Sequence, residues 1–172
     1  MTQSPPNNSK SYILARVAIL TSLALIFSYV EAIIPYNPGI PGVKLGISNV
    51  VIIVALYKYG FKEAVAISII RVLLAGLLFN GMFGAIYSLA GSVLSILVMI
   101  GLKKVKIFSV LGISVAGAVA HNIGQLIVAS MIIEDIRIFF YLPVLIFSGI
   151  AAGIAVGIAS TIILNAGASN SI

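Results

Sequence analysis

Long apolar runs recur from residue 12 to residue 164 with only brief interruptions, and they limit what this chain can fold into more than any other feature. Most are roughly 17 to 27 residues long, and about 20 suffice to carry a helix across a bilayer. Hydrophobic residues make up 61% of the 172 and charged residues only 8%, where soluble domains carry about 25%. No water-facing surface can be assembled from so few charges. The expected fold is therefore an all-α membrane protein, a compact bundle of six transmembrane helices.

The first span is predicted from Tyr12 to Ile34, and Pro35, Pro38, Gly39, Pro41 and Gly42 then form a stiff loop that cannot continue a helix. The second, Leu45 to Tyr57, is short for a crossing. The remaining spans are Glu63 to Phe79, Gly84 to Leu102, Ile107 to Ile133 and Ile138 to Leu164. One transmembrane domain over residues 12–165 is expected, with polar and disordered tails at 1–11 and 166–172.

Orientation follows from where the basic residues fall, because short cytoplasmic loops collect Lys and Arg. With the N-terminus inside, one side gathers Lys10, Arg16, Lys58, Lys62, Lys103, Lys104 and Lys106, and the other only Lys44 and Arg137. Both termini are then cytoplasmic and the proline- and glycine-rich loop faces outward. The net charge of +6 is explained by these flanks, so no nucleic-acid partner is expected. The chain contains no cysteine, which removes disulfides, thiolate metal sites and cysteine nucleophiles.

Small residues repeat every four positions along two spans: Gly112, Ala116, Ala120 and Gly124 in the fifth, and Gly149, Gly153 and Gly157 in the sixth. Such ladders let helix backbones approach closely in lipid. Packing inside the bundle is the expected use, and contact with another subunit is the alternative.

Polar side chains within a bilayer are costly, so each is a candidate for function. Arg71 lies in the middle of the third span, about 12 Å from either end by helical rise. It should point inward, toward an anionic ligand or toward Glu31 or Glu63 in an ion pair. His121, Asn122 and Gln125 form the densest polar group, in the fifth span. His121 and Gln125 share one face, with Asn122 about 100° round the helix; they can line a cavity or bond neighbouring helices. The entry to the second span, Pro41 to Asn49, offers helix N-terminal N–H groups beside Lys44, a combination suited to phosphate or carboxylate. Glu31 can pair with Lys44 or meet a ligand's donors, and Asn49 can contact a ligand or a neighbouring helix. Asp135 is the sole aspartate, whereas diphosphate chemistry ordinarily needs several to hold Mg²⁺. There is no P-loop and no H-E-x-x-H.

The stretches Pro41-Gly42-Val43-Lys44-Leu45-Gly46-Ile47-Ser48-Asn49, Ile70-Arg71-Val72-Leu73-Leu74 and Gly117-Ala118-Val119-Ala120-His121-Asn122-Ile123-Gly124-Gln125, with Tyr141-Leu142-Pro143, resemble the Gx transporter family, which also carries the name heptaprenyl diphosphate synthase component I. The resemblance runs from about residue 12 to residue 164. This family is similar to the substrate-binding S-components of energy-coupling factor importers, small six-helix proteins of the bacterial cytoplasmic membrane. The resemblance implies a vitamin-like, flavin or isoprenoid or quinone-precursor ligand captured from outside. It also implies a membrane scaffold subunit and two ATPases as partners, with no cofactor of the chain's own and ATP used only by the partners. S-components dock their scaffold through small residues of the first helix; here Ala18 and Ser22 are the nearest match, and Ala15 and Ala24 add small surface.

Glu31, Lys44, Asn49, Arg71, His121, Asn122 and Gln125 are thus the expected ligand contacts, and Ala15, Ala18 and Ser22 the docking face. No catalytic or metal-binding residue is expected. Two other classes remain open from sequence: a membrane subunit associated with heptaprenyl diphosphate synthesis, and a non-catalytic assembly subunit.

Overall fold

A computed structural model describes residues 9–33 and 46–169. These residues form six α-helices: α1 (Lys10–Ile33), α2 (Asn49–Lys58), α3 (Phe61–Ala75), α4 (Gly81–Val105), α5 (Val110–Ile133) and α6 (Leu142–Ser169). A π-helical turn, Gly76–Asn80, extends α3, and a 3-10 turn, Ile136–Tyr141, precedes α6. Lys44 and the loop residues around it lie outside the described residues.

Among the described residues, four segments are long and apolar enough to cross a membrane: Lys10–Ile33, Gly81–Val105, Val110–Ile133 and Ile136–Gly167. The exterior is built for lipid rather than water. Leu14, Leu77, Met82, Ile107 and Phe140 are each at least 70% exposed. The interior holds serines instead: Ser28, Ser48, Ser68, Ser88, Ser92, Ser95, Ser114 and Ser160 are buried. Lipid supplies no hydrophobic drive between helices, so small and hydroxyl-bearing residues make the contacts.

The short helix α2 is the centre of the molecule. Every residue from Val50 to Leu56 is buried, packed with Ala24 of α1, Ala64 and Ile67 of α3, Ile113 of α5 and Val156 of α6. Ten residues rise only about 15 Å, against a hydrocarbon core of about 30 Å. The expected span from Leu45 to Tyr57 is therefore corrected to a half-length helix. It starts late because Gly46 takes φ 71°, a left-handed conformation that interrupts helical progression.

Basic residues mark one end of the bundle. The Arg16 guanidinium lies 4.8 Å from the Tyr12 ring and 4.3 Å from the Tyr59 ring, joining the start of α1 to the α2–α3 turn. Lys103, near the end of α4, reaches the Leu56 carbonyl and lies 4.7 Å from the Tyr57 ring. Lys58 lies against Gly167 of α6. At the opposite end, Tyr29 meets Phe79 with ring centroids 5.2 Å apart. There Asp135 pairs with Arg137 at 3.0 Å, and hydrogen bonds from Arg137 hold the Asp135 carboxyl below its ordinary range. The turn between α2 and α3 thus sits beside the start of α1 and the ends of α4 and α6.

Close approach of α5 and α6 explains one glycine ladder. A Cβ on Gly153 would come within 2.6 Å of the Val115 Cα, one on Gly157 within 2.9 Å of the Leu111 Cα, and one on Gly149 within 3.2 Å of the Val119 Cα. This face is an internal contact. The other ladder is split: Gly124 packs on Ala90 and Gly91 of α4, whereas Gly112 touches only its own helix start, Phe108 and Ser109.

Several expected boundaries shift for local reasons. α5 begins at Val110 rather than Ile107 because Ser109 takes an extended N-cap conformation and accepts from the Gly112 N–H at 3.2 Å. α6 begins at Leu142, with Pro143 in its first turn where a missing N–H costs nothing. It remains helical to Ser169, beyond the boundary set at residue 165.

Candidate functional site

Arg71 sits in the middle of α3 and is 9% exposed. A buried guanidinium needs acceptors, and two neighbouring helices supply them. Its Nη1 donates to Ser48 Oγ at 2.8 Å and to Ser28 Oγ at 3.4 Å. Ser28 in turn donates to the Ala24 carbonyl at 3.0 Å, one turn back along α1. Arg71 Nε is buried without a hydrogen-bond partner.

Glu31 and Glu63 were the expected ion-pair partners, and neither fills that role. Among the described residues the single ion pair within 4.0 Å joins Arg137 and Asp135. Glu63 stays in the first turn of α3, two helical turns from Arg71. Glu31 lies near enough for its charge to act on Arg71 through space, but its Oε1 accepts instead from the Gly46 N–H. That bond fastens the end of α1 to the approach to α2.

The expectation of free N–H groups at the start of α2 is also corrected. Asn49 and Val50 donate to the Gly46 and Ile47 carbonyls at 2.9 and 3.1 Å, so the entry turn consumes them. With the Gly46 N–H given to Glu31, the Arg71 side chain supplies positive charge at this point among the described residues.

The polar group on α5 divides by face. His121 and Gln125 both pack against α4: a Cβ on Gly91 would come within 3.0 Å of His121 Cε1 and 2.8 Å of Gln125 Cγ. Asn122, a step round the helix, faces α6 and donates to the Leu145 carbonyl at 2.7 Å. Ser148 Oγ is a longer second acceptor at 3.5 Å.

These elements enclose a cavity lined by Glu31, Asn49, Arg71, His121 and Asn122, together with Gly46, Ser48, Ser88, Ala118, Gly149 and Ala152. Helices from across the chain each contribute a wall. The space open to the centre of a water molecule is about 40 Å³, and each water needs about 10–15 Å³. The cavity is therefore sized for a few waters or one small polar head.

Gln125 is not on this wall. It is buried with Oε1 unpartnered, and its position against Gly91 makes it an α4–α5 packing residue. Lys44 lies outside the described residues. Sequence reasoning missed Ser28, Ser48 and Ser88, because a serine in an apolar run carries no signal of its own. Ser48 did lie within a segment singled out as a whole.

Ala15, Ala18 and Ser22 are exposed along one side of α1, and Ser22 Oγ donates to the Ala18 carbonyl at 2.9 Å. Ala24 adds no surface. It is fully buried against α2, since it lies on the opposite side of the helix.

The fold and cavity define a helical membrane protein whose buried charge and amides line an internal chamber. The chain belongs to the family described as heptaprenyl diphosphate synthase component I, whose model matches residues 20–163. No curated protein and no solved structure matches it.

Proposed function

We propose that this chain is the substrate-binding subunit of an energy-coupling factor importer in a bacterial cytoplasmic membrane. In this reading the six helices lie in the membrane as one bundle, both termini are cytoplasmic, and a small vitamin-like, flavin or isoprenoid or quinone-precursor ligand enters from the outer face. The observation that carries the reading is that Glu31, Asn49, Arg71, His121 and Asn122 line one cavity together.

Arg71 binds the ligand's anionic group, because among the described residues its guanidinium has no ion pair within 4.0 Å and its Nε has no hydrogen-bond partner. Asn49, His121 and Asn122 set orientation by hydrogen bonding. Glu31 holds the chain at Gly46, where ligand entry must displace or rearrange the wall. A scaffold subunit docks on the Ala15, Ala18 and Ser22 side of α1, and two ATPases drive release; this chain needs no cofactor of its own.

Native mass spectrometry of the detergent-solubilised protein, purified from a bacterial host, tests this directly. A small molecule retained by the wild type and lost from Arg71→Lys is the expected result. Retention of the same molecule by Arg71→Lys and by His121→Ala would sink the site assignment.

A second reading comes from the family's own description: a membrane component that serves heptaprenyl diphosphate synthesis beside a separate catalytic partner. With Asp135 the only aspartate, at an exposed turn away from the cavity, an aspartate-held metal for diphosphate chemistry would have to come from that partner. Co-purification of a soluble prenyl synthase with the chain, and no small molecule, favours this reading.

A further inference from the structure

The cavity at Arg71 adjoins another. Gly46, Asn49, Ala118 and Ala152 line both it and a second cavity, whose space open to a water's centre is about 20 Å³. Beyond that shared wall the chemistry changes. Ile53 of α2, Met99 of α4 and Val156 of α6, each buried, form the far side. Ser114, also on this wall, gives its hydroxyl to the Gly153 carbonyl at 2.7 Å, leaving the Ser95 hydroxyl and, on the shared wall, the Asn49 amide as side-chain donors.

A charged site and an apolar chamber on either side of one shared wall match a ligand with two unlike ends. We propose that the ligand is an amphiphile with an anionic head at Arg71 and a short, slender apolar tail running past Asn49 and Ala118 toward Met99. The inference rests on the binding-subunit reading and goes further by fixing the tail, its direction and its length. A water in the inner chamber would find few partners among Ile53, Met99 and Val156, whereas a methylene there replaces apolar surface exposed to water. The chamber's size admits about one or two water-sized groups, so the tail is a few carbons long.

Gly117 and Met99 set the depth. A Cβ on Gly117 would come within 2.7 Å of Met99 Cγ and 2.8 Å of its sulfur. Both residues line the chamber, so an added methyl at Gly117, with the flexible thioether it displaces, takes up space there. Gly117→Ala therefore shortens the chamber, and Met99→Ala lengthens it, without touching the anionic site.

The test is ligand-observed NMR titration of the full chain in nanodiscs, with empty nanodiscs subtracted. Two probe series are used: n-alkyl carboxylates from acetate to octanoate, and n-alkyl phosphates with inorganic phosphate as the tail-free member. Hexanol serves as the headless control. Affinity should rise about fourfold per methylene, the equivalent of about 0.8 kcal/mol, and then level off. Hexanol should bind at least about tenfold more weakly than the six-carbon anions. The levelling point should come earlier in Gly117→Ala and later in Met99→Ala, with both variants shown to be helical by circular dichroism.

Acetate or phosphate binding as tightly as the longer members would overturn the two-ended ligand and leave the binding subunit intact. A levelling point unmoved in both variants would also overturn it, by placing the tail elsewhere. Absence of binding by every member of both series would overturn this inference and the binding-subunit reading together. Whichever series binds more tightly identifies the head as carboxylate or phosphate.

Discussion

A guanidinium nine-tenths withdrawn from solvent must find acceptors or destabilise the fold, and Arg71 finds two serine hydroxyls on α1 and at the entry to α2. The 2.8 Å bond to Ser48 is the stronger; Ser28 at 3.4 Å is near the limit of a hydrogen bond. Ser48→Ala leaves a buried, charged donor unmet, a loss of about 1–3 kcal/mol. Its apparent melting temperature should fall clearly below that of Ser28→Ala, whose hydroxyl already serves the Ala24 carbonyl. Far-UV circular dichroism in detergent reads this, since the chain has no tryptophan for fluorescence. Equal melting of both variants and the wild type would mean that the serines do not hold Arg71. The arginine was conspicuous in the sequence, but its serine partners were not. A charge in an apolar run is rare enough to notice, whereas hydroxyls acquire meaning only when helices distant in sequence are brought together.

At the scale of helices, glycines at equal spacing have unequal consequences. Gly153 leaves only 2.6 Å between a prospective Cβ and the Val115 backbone, while Gly112 has nothing nearer than 3.6 Å, the hydroxyl of its own N-cap. Gly153→Ala must push α5 and α6 apart, and overpacking of this kind costs about 1–3 kcal/mol. Gly112→Ala should instead gain about 0.5–1 kcal/mol, as alanine does over glycine within a helix. Opposite shifts in thermal stability are expected for the pair; a loss of equal size in both would place Gly112 in a contact as close as that of Gly153. Periodicity identified both ladders as surfaces for close approach. It could not tell which had a backbone opposite, because the facing residues Val115 and Leu111 are themselves unremarkable in sequence.

For the whole molecule, the placement of the α2–α3 turn is decisive. Tyr59 under Arg16, and Leu56 and Tyr57 beside Lys103, hold that turn at the end where α1 begins and α4 finishes. Because the chain has no native cysteine, single cysteines can report sidedness without background. Lys62→Cys should react with a membrane-impermeant maleimide from the same side as Lys104→Cys, and Asp135→Cys from the opposite side. Labelling of Lys62→Cys from the side that labels Asp135→Cys would contradict a hairpin that traverses the bundle.

Apolar run length and scarcity of charge determined, from sequence alone, that the chain is helical and suited to a bilayer, because an unpaired backbone cannot be left in hydrocarbon. They also located all six helices to within a turn or so at each end and marked Arg71 and the His121–Asn122 pair as residues needing an inward partner. Tertiary structure decided the rest. It shortened α2 into a buried central element, turned Gln125 into a packing residue, withdrew Ala24 from the surface and gave the helix-start N–H groups to the entry turn. It also set a charged cavity beside an apolar one. Each of these depends on which surface lies across from a residue, and in an interior built from small side chains many partners are chemically equivalent until the backbones are placed.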